Sequence, residues 1–193
     1  MKTNSRSVQV DNGDLESKIA LREHFLEKYH KGTHTKVLDC CAGQQQIWKR
    51  LRAKYDVDYL VLDKKEIPGT LKIDSIVYLE AGHGIAFDII DVDTYGLPYR
   101  HFSKAVQHLN KPTTFFGTVN ANGMTKPQAE ETAALGITCK VPDVLIREAA
   151  TDLFGEILGA IMHPHVIEYA ALIVATRHTS MRTKYVGVRV VPR

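Results

Sequence analysis

Between Phe87 and Pro98 the chain reads FDIIDVDTYGLP, and the order of residue types there is suited to chemistry. A short apolar run of buried-strand character ends in Asp91, Asp93, Tyr95 and Gly96. A carboxylate can accept a hydrogen bond from an amine and help take its proton. An aromatic ring beside it can stack on a flat heterocycle. Asp91 and Asp93 stand two apart on an extended segment, so both can face one side of a sheet. The competing task for Asp93 is to cap a helix beginning near Pro98.

Acids recur at the ends of other strand-like runs. KVLDC at 36–40 carries Asp39, VDYLVLD at 57–63 ends in Asp63, and GTLKIDSI at 69–76 leads through Asp74. In open α/β sheets ligands bind beyond the carboxyl ends of the strands. An acid about 20 residues after a glycine-bearing first turn is placed to accept hydrogen bonds from ribose hydroxyls, which points to Asp63. The first turn, CAGQQQ, holds Gly43 but lacks GxGxxG, which counts against a pyrophosphate. A carboxylate also repels phosphate. The ligand expected is a nucleoside without phosphates.

The elements that must carry these acids follow from periodicity. DLESKIALREHFLEKYH at 14–30 has helical spacing and Asp14 as its N-cap. Strand, tight loop and helix follow from Lys36 to Tyr55, and further strands are expected at 57–63, 69–76, 86–93 and 112–123, with a helix at 99–110. The region 142–170 reads as mostly helical, broken near His163-Pro164-His165. The runs 171–179 and 183–191 read as a closing antiparallel hairpin. Unalternating apolar strands separated by helices imply a mostly parallel α/β sheet covered on both faces.

With these residues in view, the sequence resembles the class I S-adenosylmethionine-dependent methyltransferases. VLDCCAG with its following Trp48, YLVLDKKE, and LKIDSIVYL are similar to the first three motifs of that superfamily, and the resemblance spans roughly residues 15–123. FDIIDVDTYGLP resembles the Asp-Leu-Asp-Pro-Phe-Gly-Ser-Pro motif of the tRNA guanine-N2 dimethyltransferases. Asp91, Asp93, Gly96 and Pro98 match it; Tyr95 stands for its Phe and Thr94 for its Pro. The first turn also departs, with Gln44, Gln45 and Gln46 after Gly43 in place of a second glycine.

The resemblance implies a Rossmann-like seven-stranded sheet with an antiparallel last strand and helices on both faces. It implies S-adenosyl-L-methionine as cofactor, with Asp63 on its ribose, Asp39, Ala42 and Gly43 along its methionine side, and Asp74 near its adenine amine. Asp93 is expected to contact the acceptor amine, Tyr95 to stack on or wall the acceptor, and Asp91 to support the turn. The function expected is methyl transfer to an amine of a nucleobase in RNA or DNA. A degenerate fold that binds nucleoside or nucleic acid without turnover is the alternative. In a third reading the acceptor is a small molecule or a protein side chain, and Tyr95 is a lid.

The bulk numbers set limits. A chain of 193 residues, 44% apolar and 24% charged, suits one soluble domain over 1–193. Within it, 14–30 is a helix, 36–123 the donor-binding half that includes the strand-four motif, and 124–193 the half that ends in the hairpin. No run approaches the ~20 apolar residues of a membrane span, so no membrane partner is expected. Three cysteines, two of them adjacent at Cys40 and Cys41, make a poor disulfide framework, and a cytoplasmic setting is expected. His163 and His165 lack a third ligand at readable spacing, so no metal is expected. Trp48, Cys40 and Cys41 read as packing, and His83 as part of a tight turn. The net charge of +3 permits a nucleic-acid partner without requiring one, and KRLRAK at 49–54 and RHTSMRTK at 177–184 are the basic clusters. The compact size suggests a homodimer or a partner protein that supplies substrate contacts.

Overall fold

The computed structural model describes residues 14–41, 43, 45–94, 97–120, 154–174 and 183–193. Helix α1 (Leu15–Tyr29) precedes β1 (Thr35–Asp39), α2 (Gln46–Arg52), β2 (Val57–Asp63), β3 (Leu71–Lys72) and α3 (Ser75–Glu80). A 3₁₀ turn (His83–Ala86) leads into β4 (Ile89–Val92), α4 (Tyr99–Val106) and β5 (Thr113–Asn120). Helix α5 (Phe154–Met162), β6 (Val166–Val174) and β7 (Thr183–Val191) complete the described elements.

The seven strands form one sheet in the order β3-β2-β1-β4-β5-β7-β6. The first five run parallel to one another, while β7 is antiparallel to both β5 and β6. The mostly parallel sheet with its antiparallel last strand is as the sequence predicts. Strand order reverses between β1 and β4, where a ligand crevice opens in sheets of this kind.

Side-chain alternation sorts each strand onto two cores. Val37, Ile89, Phe116 and Tyr185 face α1 and α2 together with Phe25 and Trp48. Leu38, Ile90, Phe115 and Val186 face α3, α4 and α5 on the other side. A period of two therefore puts Asp39, Asp91 and Thr118 on the face covered by α1. Gly187 on β7 lets α1 lie close, because a Cβ there would sit 2.5 Å from Phe25 Cε2 and 2.9 Å from Phe116 Cε1.

Two expectations are corrected. Residues 166–170 are not helical but open β6, whose side chains alternate between exposed and half-buried as it pairs with β7. That pairing overrides a local pattern readable either way. The third strand shrinks from 69–76 to Leu71–Lys72, since the Asp74 carboxylate accepts the Ile76 N–H at 2.9 Å and starts α3 instead. The tight turn expected at His83 is present as a single 3₁₀ turn, His83–Ala86, entered through left-handed Gly82. The helical reading of 142–153 and the strand reading of 175–179 fall outside the described residues.

Candidate active site at the strand tips

The tip of β4 is tied to α1 by two ion pairs. Lys18 and Arg22 are four residues apart, hence on one face of α1. Arg22 Nε and Nη2 donate to the two oxygens of Asp91 at 2.7 and 2.6 Å, with both side chains 2% exposed. Trp48 Nε1 donates to Asp91 Oδ2 at 2.8 Å, and Arg22 Nη1 returns to the Lys18 carbonyl at 2.9 Å. Lys18 Nζ donates to Asp93 Oδ1 and Oδ2 at 2.8 and 2.6 Å, while the Thr118 hydroxyl donates to Oδ1 at 2.5 Å. Both acids thus face the same side, as their spacing predicts.

Burial pushes the Asp93 carboxyl up, but Lys18 and then Arg22 outweigh it and hold the group below the ordinary carboxylate range. Asp93 is therefore an anion at neutral pH. A carboxylate offers about four lone-pair positions, of which Lys18 and Thr118 occupy three, leaving one on Oδ2. Asp93 does not cap α4, because that helix begins at Tyr99 with Pro98 at its N-cap and no side-chain cap hydrogen bond. Thr94 Oγ1 is sealed from solvent without a hydrogen bond among the described residues. Tyr95, Gly96, Ala42 and Gln44 lie outside the described residues.

Asp39 sits beside Asp91 in the β1–β4 register and is 6% exposed. Its Oδ1 accepts the Cys41 N–H at 3.1 Å. Burial, then the adjacent Asp91, raises its carboxyl well above the ordinary value. Burial likewise raises both cysteine thiols, which keeps them protonated and poor nucleophiles. The first turn shows how glutamine replaces glycine here: Gly43 and Gln45 both take left-handed backbone, at φ 41° and 56°. The Gln45 side chain reaches toward the Pro68 carbonyl at 3.5 Å, across the loop between β2 and β3.

Asp63 Oδ1 accepts the Lys65 N–H at 2.7 Å, and no cation pairs with Asp63 among the described residues. Asp74 pairs with Lys64 at 2.9 Å as well as capping α3. His101 of α4 lies close by, its Nε2 3.0 Å from Ser75 Oγ and its Nδ1 sealed without a partner among the described residues. Burial pulls this ring down to about 4, and burial does the same for His30 beneath β5. Both rings are neutral when folded but take up protons near 6.5 when the chain unfolds. The unfolded state therefore binds more protons between the two values. Stability should be at its full value above about pH 6.5 and fall as pH drops toward about 4. Urea midpoints measured across that window should decline, and a flat profile would show the rings to be solvated.

A cleft of about 270 Å³ lies at the other end of the sheet, lined by His30, Thr35, Tyr55 and Asp56 among others. It touches none of the acids at the carboxyl ends. Among the described residues no group of three His, Cys, Asp or Glu is placed to hold a metal, and no helix is long and apolar enough to cross a membrane.

No family model and no curated protein sequence matches the chain. Solved structures do. The plantazolicin methyltransferase BpumL, in complex with a triazolic desmethylPZN analog and SAH, aligns with a TM-score of 0.60 at 12% identity, over 96% of this chain and 87% of that one. The Burkholderia thailandensis 1,6-didemethyltoxoflavin-N1-methyltransferase, with 1,6-didemethyltoxoflavin and S-adenosylhomocysteine bound, gives 0.58 at 13% over 97% and 82%. Trm1 from Pyrococcus horikoshii, in complex with S-adenosyl-L-methionine, gives 0.57 at 13% over 92% of this chain and 54% of that one. The chain has the fold of these methyltransferases. It spans about half the length of Trm1.

Lys18, Arg22 and Thr118 escape the sequence reading of the site. The available signal is the pair of cations at i and i+4 inside a helix face that also holds Phe25 and Leu26. Cations on a buried face require acids opposite, and the strand-four acids meet that requirement.

Proposed function

We propose that this chain is an S-adenosylmethionine-dependent methyltransferase that methylates an amine of a nucleobase in RNA or DNA. The observation that carries the reading is the row of carboxyl groups, Asp74, Asp63 and Asp39, at or just beyond the tips of β3, β2 and β1 in a fold shared with solved methyltransferases. The donor presents ribose hydroxyls, an ammonium, a sulfonium and one carboxylate, and no phosphate. Carboxyl groups of the protein suit the hydroxyls, the ammonium and the sulfonium.

Asp63 would hold the ribose through the oxygen that Lys65 leaves open. Asp39 and the Gly43 turn would face the methionine end, and Asp74 the adenine side. When bound, the donor supplies an electrophilic methyl carbon on sulfur. The protein's own task is then to orient the acceptor lone pair in line with that carbon. Asp93, pinned by Lys18 and Thr118, offers one lone pair to an acceptor N–H. As a low-pKa anion it is a positioning group and a weak base, so the proton leaves to water after the nitrogen becomes cationic. Asp63→Ala should weaken S-adenosylhomocysteine binding by about 1–3 kcal/mol, the range for losing a charged hydrogen-bond partner. Titration calorimetry reads this directly, and unchanged affinity would place the donor elsewhere.

A second reading has its own observation. Three of the Asp93 lone-pair positions are already occupied within the protein, which suits a binding fold without turnover. Incubation with labelled S-adenosylmethionine and bulk tRNA, genomic DNA or free nucleosides separates the two. Label on an exocyclic base nitrogen supports the enzyme. Donor binding without transfer to any of these acceptors supports the binder.

A further inference from the structure

The sheet treats its two edges differently. β3 is two residues long and carries Lys72, and a short, charged edge resists pairing with another chain. β6 closes the opposite edge with nine residues, VIEYAALIV, which include no proline, lysine or arginine. Among the described strands it pairs with β7 alone, so the other side of its backbone keeps a row of N–H and C=O groups open to a further strand. Three of the six large apolar side chains exposed among the described residues also lie on β6: Val166, Leu172 and Val174, at 42%, 45% and 41%. An apolar patch and an open ladder thus coincide on one strand.

We propose that β6 is a dimerisation edge that pairs antiparallel with β6 of a second copy of this chain, about a two-fold axis through Ala171, so that two seven-stranded sheets join into one. β5 and β7 separate β6 from β4, so the pairing leaves the acids at the strand tips uncovered. The proposal therefore stands or falls apart from the methyl-transfer reading.

A second copy is the favoured occupant because the strand complements itself, as a two-fold interface requires. Opposed side chains of an antiparallel pair share a face, so the axis passes through a residue and not between two. β6 slips against β7 at Glu168 and is regular from Tyr169 to Val174. An axis through Ala171 opposes Ala171 to itself, Ala170 to Leu172 and Tyr169 to Ile173. Small then meets large on the exposed face, and an aromatic ring meets a β-branched side chain on the half-buried face. The one charge of the strand, Glu168, falls three residues from the axis, roughly 20 Å from its symmetry mate. It is partnered within its own protomer by Arg189 at 4.0 Å. An axis through Glu168 would oppose two carboxylates and is excluded. A foreign strand can take the same backbone row, but nothing in β6 selects one.

Sedimentation velocity of the full chain tests this. Between about 1 μM and about 1 mM, monomers of 21.6 kDa should give way to dimers of twice that mass. Leu172→Lys sets two ammonium-bearing side chains on the diagonal across the axis, about 7–8 Å apart. It should raise the dimer dissociation constant about tenfold or more, and because the position is exposed the fold should persist by circular dichroism. Ala171→Cys brings two thiols face to face, where Cα atoms about 4.5–5.5 Å apart suit a disulfide. Mild oxidation should cross-link it well beyond the wild type with its three native cysteines. Val166→Cys, five residues from the axis, should stay at the wild-type level. A wild-type chain still monomeric near 1 mM overturns the proposal, and β6 is then an edge for a foreign strand or for none. A dimer that Leu172→Lys leaves intact also overturns it, as does faster cross-linking of Val166→Cys than of Ala171→Cys. Should Leu172→Lys unfold, the two cysteine variants decide.

Discussion

Arg22→Leu should destabilise the chain by about 3–5 kcal/mol, the range for breaking a buried ion pair from one side. The Asp91 carboxylate is buried under α1, and Arg22 supplies two of its three hydrogen bonds. After the substitution only the Trp48 N–H remains, with Asp39 alongside. Arg22→Lys should rescue little, because an ammonium cannot reproduce two parallel donors in a fixed fork. Adding Asp91→Asn to Arg22→Leu should recover most of the loss, since asparagine keeps an acceptor for Trp48 without a buried charge. Urea unfolding of the three variants reads these differences. An Arg22→Leu protein within about 1 kcal/mol of wild type would show that Asp91 can be neutralised or rehydrated at little cost.

Asp93→Asn should lower turnover by about 10²-fold or more while leaving S-adenosylhomocysteine affinity nearly unchanged. The charge that orients the amine is lost, and Lys18 is left as a buried ammonium without an anion. Some stability is lost with it, so activity must be compared where circular dichroism shows the variant folded. A structural role alone would not separate turnover from donor affinity in this way. Full turnover of the Asn variant on its true acceptor would remove Asp93 from the reaction and leave it as an anchor for α1.

The sequence displays the sheet better than it displays the chemistry of its tips. Strands β1, β2 and β4 are continuous apolar runs because helices cover both faces, and such runs are readable without knowing the neighbours. β6 is not, since its identity depends on pairing with β7 while Val166, Leu172 and Val174 stay exposed. The acids at the tips are visible because each ends a run. Their condition is not: whether a carboxyl is anionic depends on cations some 70 residues away in sequence. Lys18 and Asp93 are separated by 75 positions, and Arg22 and Asp91 by 69. Gln45 shows the same limit for backbone, since its left-handed conformation after Gly43 is one that glutamine rarely adopts and no side-chain pattern announces.

Titration of the wild-type protein with S-adenosylhomocysteine tests the row of carboxyl groups most directly. The expected result is saturable one-to-one binding that is weakened about 5- to 150-fold by Asp63→Ala, the fold-change equivalent of 1–3 kcal/mol. No binding up to about 1 mM ligand, an affinity limit near −4 kcal/mol, would contradict a donor site at the strand tips.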